Sequence, residues 1–201
     1  MIKLYNSLFN FYWIKKSNLS GSKVIQADKI VTDSINKVYS SEYRVAYLLT
    51  IRKFMNVLNS NLDLSSRVFL DLGCGAGIPI CYVSKYFVFQ RLQGIDFSPS
   101  LISKAKENYM KLNTKSNCDF ILGDIGTFEL EDNKSYIVFA FNPCDVNVMC
   151  EFIQLNFQKI LKNDVYFCLS NDKWTHALQE RFEFETIWAS SKLNACILRF
   201  F

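Results

Sequence analysis

The chain has 201 residues, half of them hydrophobic and 21% charged, with a net charge of +4. That is the length of one domain with a sizeable core, and so mild a charge permits nucleic acid as a partner without implying it. Seven dispersed cysteines, never spaced C-x-x-C, and one histidine, His176, argue against a disulfide framework, a zinc site or histidine-based catalysis, and fit a reduced cytoplasm.

The first sixteen residues place Leu4, Tyr5, Leu8, Phe9 and Tyr12 at helical spacing, interrupted by Asn6, Ser7 and Asn10. Lys3 comes early, but no small-residue cleavage site follows. The stretch therefore reads as a packed or amphipathic helix rather than a secretion signal, with a membrane-surface role as the lesser alternative. No apolar run reaches membrane-spanning length. Ser17 to Lys23 is a polar break containing Gly21. Val31, Ile35 and Val38 suggest a short helix. Tyr47, Leu48, Ile51, Phe54, Met55 and Leu58 form a stronger amphipathic one, closed by the polar run Asn59 to Ser66. The first third, residues 1–64, is thus expected to be a helical extension packed on a domain of residues 65–201. His176, beside Trp174, reads as a surface residue. Lys104, Lys106, Lys111 and Lys115 read as a solvated helix face.

From Arg67 the pattern changes. Val68 to Leu72 is a short apolar run that reads as a buried strand, and it breaks into Gly73-Cys74-Gly75-Ala76-Gly77. A helix-like segment with Pro79 in its first turn follows, then a strand ending at Asp96. This is a βαβ unit with a glycine turn at the carboxyl end of its first strand, the place where open α/β sheets bind ligands. Glycine suits the turn because it takes left-handed backbone angles and lets a ligand approach the main chain. Asp96, about 20 residues beyond the turn, stands at the offset where an acid can accept from ribose hydroxyls.

Strand and helix then alternate. Ser98-Pro99 opens a helix to about Leu112, and Cys118 to Gly123 is a third strand ending at Asp124. Tyr136 to Phe141 is a fourth, ending at Asn142-Pro143. Asp145 can cap one long helix carrying Met149, Phe152, Ile153 and Ile160. Val165 to Leu169 is a fifth strand, followed by a short helix with Trp174 and Leu178 one turn apart. Phe182, Phe184, Thr186 and Trp188 alternate with Glu183 and Glu185, and Asn194 to Phe201 follows a Ser190-Ser191-Lys192 break. That link is too short for a crossover helix, so the last pair reads as an antiparallel ribbon.

Asp71-Leu72-Gly73-Cys74-Gly75-Ala76-Gly77 resembles the first signature of class I S-adenosylmethionine (SAM) methyltransferases, and Gly94-Ile95-Asp96-Phe97-Ser98 resembles their second. Nicotinamide-binding folds usually carry G-x-G-x-x-G; here the third glycine comes one residue early and an acid precedes the first glycine by two. The resemblance covers residues 65 to 201. It implies an α/β, Rossmann-like sheet of seven strands, mostly parallel, with an antiparallel ribbon at its end and an N-terminal helical cover that Tyr39 and Tyr43 can line, although packing is the commoner use of a tyrosine. It implies SAM as cofactor. Asp71, Gly73, Cys74, Gly75 and Gly77 would hold the methionine portion, Asp96 the ribose, and Phe97, Asp124 and Ile125 the adenine, with Phe128 as a further wall. Asn142-Pro143 resembles the Asn-Pro signature of amino-group methyltransferases, where the Asn side chain and the next carbonyl accept from the target NH2. Cys144 and Asp145 stand where those enzymes have a second proline and an aromatic, so a stacking platform for a flipped base is missing.

Methyl transfer from a sulfonium needs alignment and exclusion of water more than covalent help. Asn142, Pro143 and Asp145 are the candidate catalytic residues, Asp145 as a proton acceptor for an amine. Cys144 has no basic neighbour in sequence to activate it. The expected acceptor is a nitrogen, on a protein side chain or small amine rather than a nucleic-acid base. Two alternatives stand beside this reading: a SAM-binding subunit without catalysis and a nicotinamide-dependent oxidoreductase.

Overall fold

The computed structural model describes residues 2–21, 24–26, 42–114 and 116–201. The expected helix around Val31, Ile35 and Val38, the candidate cover residue Tyr39, and Lys115 lie outside the described residues.

Seven strands form one sheet: β1 (Val68–Leu72), β2 (Arg91–Asp96), β3 (Cys118–Leu122), β4 (Tyr136–Ala140), β5 (Tyr166–Ser170), β6 (Phe184–Ser190) and β7 (Ala195–Phe200). Their order is β3-β2-β1-β4-β5-β7-β6. The first five pair in parallel, and β7 runs antiparallel to both β5 and β6. The chain moves outward from β1 to β3 and then returns to β4, so the strand order reverses between β1 and β4. A ligand crevice is expected at that switch point, outside the strands' carboxyl ends.

β1, β4 and β5 are buried along their whole length. This explains their continuous apolar runs, because a sheet covered on both faces leaves no side for polar residues. Alternate residues feed two separate cores. Phe69, Ile137, Phe139, Cys168 and Ile197 face one. Val68, Leu70, Val138, Phe167 and Leu198 face the other. The first core is covered by α1 (Ile2–Lys16), α2 (Leu48–Asn59) and α3 (Ile78–Tyr86), with α4 (Pro99–Met110) beside them. The second is covered by α5 (Val146–Leu155), α6 (Phe157–Lys162) and α7 (Thr175–Gln179).

Several expectations need correction. The single long helix after Asp145 is two, because Asn156 breaks it. Its buried side chain accepts from Leu130 N at 2.7 Å and donates to Phe128 O and Phe152 O, a pull from nearby backbone that competes with helix continuation. In β6 the simple alternation fails: a register shift between Thr186 and Trp188 leaves Phe184 against the second core and moves Trp188 to the first. One extra residue in a strand reverses the facing of everything beyond it. Between α1 and α2 the described residues include an antiparallel bridge between Ile25 and Tyr43.

Candidate active site

The crevice lies at the switch point, with about 810 Å³ of free space, open solvent at its mouth included. Gly73 and Cys74 after β1, Asp96 and Phe97 at the end of β2, Asp124 and Ile125 after β3, and Phe141 to Cys144 after β4 all line it. A wall from the N-terminal extension, Glu42 to Ala46, closes one side.

The glycine turn needs its glycines. Gly73, Gly75 and Gly77 have φ of 70°, 53° and 71°, left-handed angles that cost other residues about 1–2 kcal/mol. Each also touches a neighbour where a side chain would stand. A Cβ on Gly73 would lie 2.2 Å from Pro143 Cβ, and one on Gly75 would lie 2.1 Å from Tyr43 Cε2. So Pro143 and Tyr43 both pack on the turn. Gly73 N and Cys74 N both donate to Ile95 O at 2.9 Å, which pins the turn to β2. Gly77 then caps α3, with Pro79 in its first turn.

Two buried acids face this turn. Asp96 Oδ2 accepts from Gly75 N and Oδ1 from Ser98 N, each at 2.9 Å. A carboxylate has about four acceptor sites, so both oxygens keep capacity for further donors. Burial raises the Asp96 pKa to about 6, with the two backbone donors opposing. Asp71 is more extreme. It is fully enclosed, and its Oδ2 has no hydrogen-bond partner. Burial, and then the charge of Asp96, hold its pKa well above the carboxylate range. An unpartnered buried carboxyl oxygen beside a second acid calls for a cationic donor, and the ammonium of SAM is one. The residues present therefore fit that cofactor.

The wall is tied down by side chains. Tyr43 O–H donates to Gly21 O at 2.6 Å. Asn108, buried on α4, accepts from Ser20 N and donates to Ser20 O and Ala76 O, linking the extension to the glycine turn. Asn10 on α1 donates to Ala46 O at 2.8 Å and accepts from Leu48 N at 3.1 Å. Desolvation pushes the Tyr43 phenol well above its ordinary pKa, so it stays neutral. Tyr43 was named in sequence as a cover candidate; Glu42, Arg44, Val45 and Ala46 had no sequence signal, because their place depends on contacts far along the chain.

The other expected residues divide. Asp71, Gly73, Cys74, Asp96, Phe97, Asp124, Ile125, Asn142 and Pro143 line the crevice together. Gly75 and Gly77 shape the turn from behind. Asn142 takes the left-handed region at φ 49°. Asp145 stands next to Cys144 but is not itself part of the crevice lining; its carboxylate accepts from Asn147 N at 2.9 Å and caps α5. Asp124 lines the crevice while also capping a short 3-10 turn through Gly126 N. Phe128 packs against the second core instead of the crevice. Burial, aided by Asp124 and Asp145, pushes the Cys144 thiol to about 12, so it is no nucleophile at neutral pH. Among the described residues, no group of three or more His, Cys, Asp or Glu is placed to hold a metal ion, and no helix is long and apolar enough to cross a membrane.

The chain resembles known proteins. It is 38% identical over 84 residues to an arsenite methyltransferase of Halobacterium salinarum, a match spanning 41% of this chain and 20% of that protein. It is 30% identical over 79 residues to a malonyl-[acyl-carrier protein] O-methyltransferase of Coxiella burnetii, spanning 39% of this chain and 30% of that protein. The matches thus span less than a third of these relatives' lengths. Among solved structures, a candidate SAM-dependent methyltransferase of Methanococcus maripaludis superposes with a TM-score of 0.56 at 13% identity, covering 76% of this chain and 84% of that one. An rRNA methylase of Streptococcus thermophilus does so at 0.53 and 15% identity, covering 75% and 96%. Residues 63–197 match the model of the family described as "Methyltransferase domain", so the chain belongs to the class I SAM-dependent methyltransferases.

Proposed function

We propose that the chain transfers the methyl group of SAM to a nitrogen acceptor, on a small amine or a protein side chain. The observation that carries the cofactor half is the pair of buried acids over the glycine turn, with Asp71 Oδ2 unpartnered. A ligand bearing an ammonium and a sulfonium would favour the ionised form of these acids and be attracted to it, whereas the pyrophosphate of a nicotinamide dinucleotide would be repelled once they ionise. When bound, SAM supplies an electrophilic methyl carbon. Asp71 would hold the methionine ammonium, and Asp96 would accept from the ribose hydroxyls. Asp124 would accept from the adenine amino group, with Phe97 and Ile125 against the ring.

The acceptor half rests on Asn142-Pro143, which follows β4 and lines the crevice beside Gly73. The Asn142 side-chain oxygen and the Pro143 carbonyl would accept from an acceptor N–H and aim its lone pair. Asp145 serves by capping α5 and so fixing where this turn lies. A neutral amine needs no strong base at this step, only alignment and a dry site. The relatives named above act on arsenite and on a malonyl-carrier protein by their names, so the acceptor class is carried by this chain's own turn.

The test is transfer of labelled methyl from SAM into fractionated small amines and proteins. Asn142→Ala is expected to lower turnover by about 10²-fold, as loss of one aligned polar group does, with S-adenosylhomocysteine binding kept. Label appearing only on oxygen or carbon acceptors, or turnover untouched by Asn142→Ala, would remove the nitrogen reading.

A further inference from the structure

We infer that α1 is an interfacial helix that docks the protein on an anionic lipid surface. Its residues divide by face. Asn6, Asn10, Trp13 and Ile14 turn inward and are buried. Leu4, Tyr5, Leu8, Phe11 and Tyr12 turn outward and are 60–66% exposed. At 3.6 residues per turn, Leu4, Leu8, Phe11 and Lys15 form one row, with Tyr5, Tyr12 and Lys16 beside it. Single exposed apolar residues are ordinary on a protein surface, but contiguous large ones on one helix face mark a contact surface.

The inward face holds the helix without using that stripe. Asn10 bonds Ala46 O and Leu48 N. Trp13 Nε1 donates to Tyr86 Oη at 3.1 Å, and its ring meets Tyr82 edge-on at 5.2 Å. The protein therefore anchors α1 through Asn10 and Trp13 and leaves the leucines and Phe11 outside.

Charge identifies the occupant. α1 carries Lys3, Lys15 and Lys16 and no acidic residue. All three lysines are exposed, one at the start of the helix and two at its end. Anionic headgroups would meet both ends while the leucines and Phe11 enter the acyl boundary. Tyr5 and Tyr12 suit the headgroup level, with an apolar ring and a polar tip. A second copy fits worse. Antiparallel pairing of two such faces sets the lysine pair of one helix against Lys3 of the other. Parallel pairing sets each lysine against its equivalent. The helix has no acid to offset either arrangement.

The test is co-sedimentation of the full chain with phosphatidylcholine vesicles, with and without phosphatidylglycerol, at low and high salt. Binding is expected to the anionic vesicles alone and to weaken with salt. Lys15→Gln with Lys16→Gln should weaken it roughly 25-fold, because each lysine near an anionic surface contributes about fivefold. Leu8→Glu with Phe11→Glu should abolish it while the thermal midpoint stays that of the wild type. Failure of the wild type to bind anionic vesicles, or equal binding to neutral ones, would overturn the inference. So would a concentration-dependent dimer that Leu8→Glu with Phe11→Glu disrupts. A lowered midpoint in that variant would also overturn it, by placing the face inside the chain's own packing.

Discussion

The floor of the crevice and its wall are built by different means. Asp71, Gly73 and Asp96 belong to β1, β2 and the turn between β1 and α3. They are held by parallel ladders and by two N–H groups that share Ile95 O. Among the described residues the wall from Glu42 to Ala46 forms no such ladder. Its ties there include the Ile25–Tyr43 bridge, Gln26 to Glu42, Tyr43 to Gly21 and Asn10 to Ala46. A floor set in the core opens only when the fold opens, whereas a wall held by a few bonds belongs to the low end of local stability. In the proposed function, cofactor recognition is concentrated in the floor, and enclosure in the wall.

Floor substitutions should have the largest effects. Asp96→Ala removes the proposed ribose acceptor and the clasp on Gly75 N and Ser98 N. Hydrogen bonds to a charged group are worth about 1.5–3 kcal/mol each. S-adenosylhomocysteine affinity, measured by calorimetry, should fall by about 10²-fold or more. Gly75→Ala tests where floor and wall meet. The new Cβ would press on the Tyr43 ring, 2.1 Å from Cε2, and push the wall away. About tenfold loss of affinity is expected, on the order of the 1–2 kcal/mol of left-handed strain with the clash added. Adding Tyr43→Ala should recover part of it, because the two residues share one contact. A purely additive double variant would separate wall from floor.

Asp96 also sets a pH signature. Its folded pKa, about 6, lies above its unfolded value of 3.8. The folded state binds more protons in that window, so the stability it contributes is present below about pH 4 and is lost as pH rises through about 6. Asp71 shifts in the same direction. In the proposed role it is the carboxylate form that accepts from both ribose hydroxyls, so S-adenosylhomocysteine affinity should rise over the range where ligand-free stability falls. Thermal melts and titrations at pH 5 and pH 7.5 would show the opposing trends; parallel trends would mean the acids do not face the ligand. The smallest effect on binding is expected for Asn10→Ala. It unties Ala46 and leaves buried backbone groups unpaired, costing about 1–3 kcal/mol in a chemical melt. The floor is untouched, so affinity should change by only a few-fold.

The same division decides what could be read from sequence. The floor was legible because its information is local: an apolar run, a glycine turn and an acid at a fixed offset. The alternation of strand and helix was legible too, and a link too short for a crossover marked the antiparallel end pair; the order of the strands was not. The wall was barely legible, since contacts with residues distant in sequence, among them Gly75, Gly21, Ile25 and α1, give Tyr43 to Ala46 their place. Periodicity also has a limit that α1 and α2 illustrate. Both carry apolar residues at helical spacing. α2 buries Leu48, Ile51, Phe54, Met55 and Leu58, while α1 turns Leu4, Leu8 and Phe11 outward and buries Asn6 and Asn10. The pattern says that a helix has a stripe, not which neighbour receives it. Asp145 was readable as a helix cap and as a proton acceptor, and its bond to Asn147 N shows the cap.

The central claim is that the acids over the glycine turn recognise SAM. The most direct measurement is calorimetric titration of the folded chain with S-adenosylhomocysteine, beside NADH and an Asp96→Ala variant of unchanged secondary structure. One ligand bound per chain, no binding of NADH, and a loss of about 10²-fold or more in the variant are predicted. No binding by the folded wild-type chain, or affinity unaffected by Asp96→Ala, would contradict it.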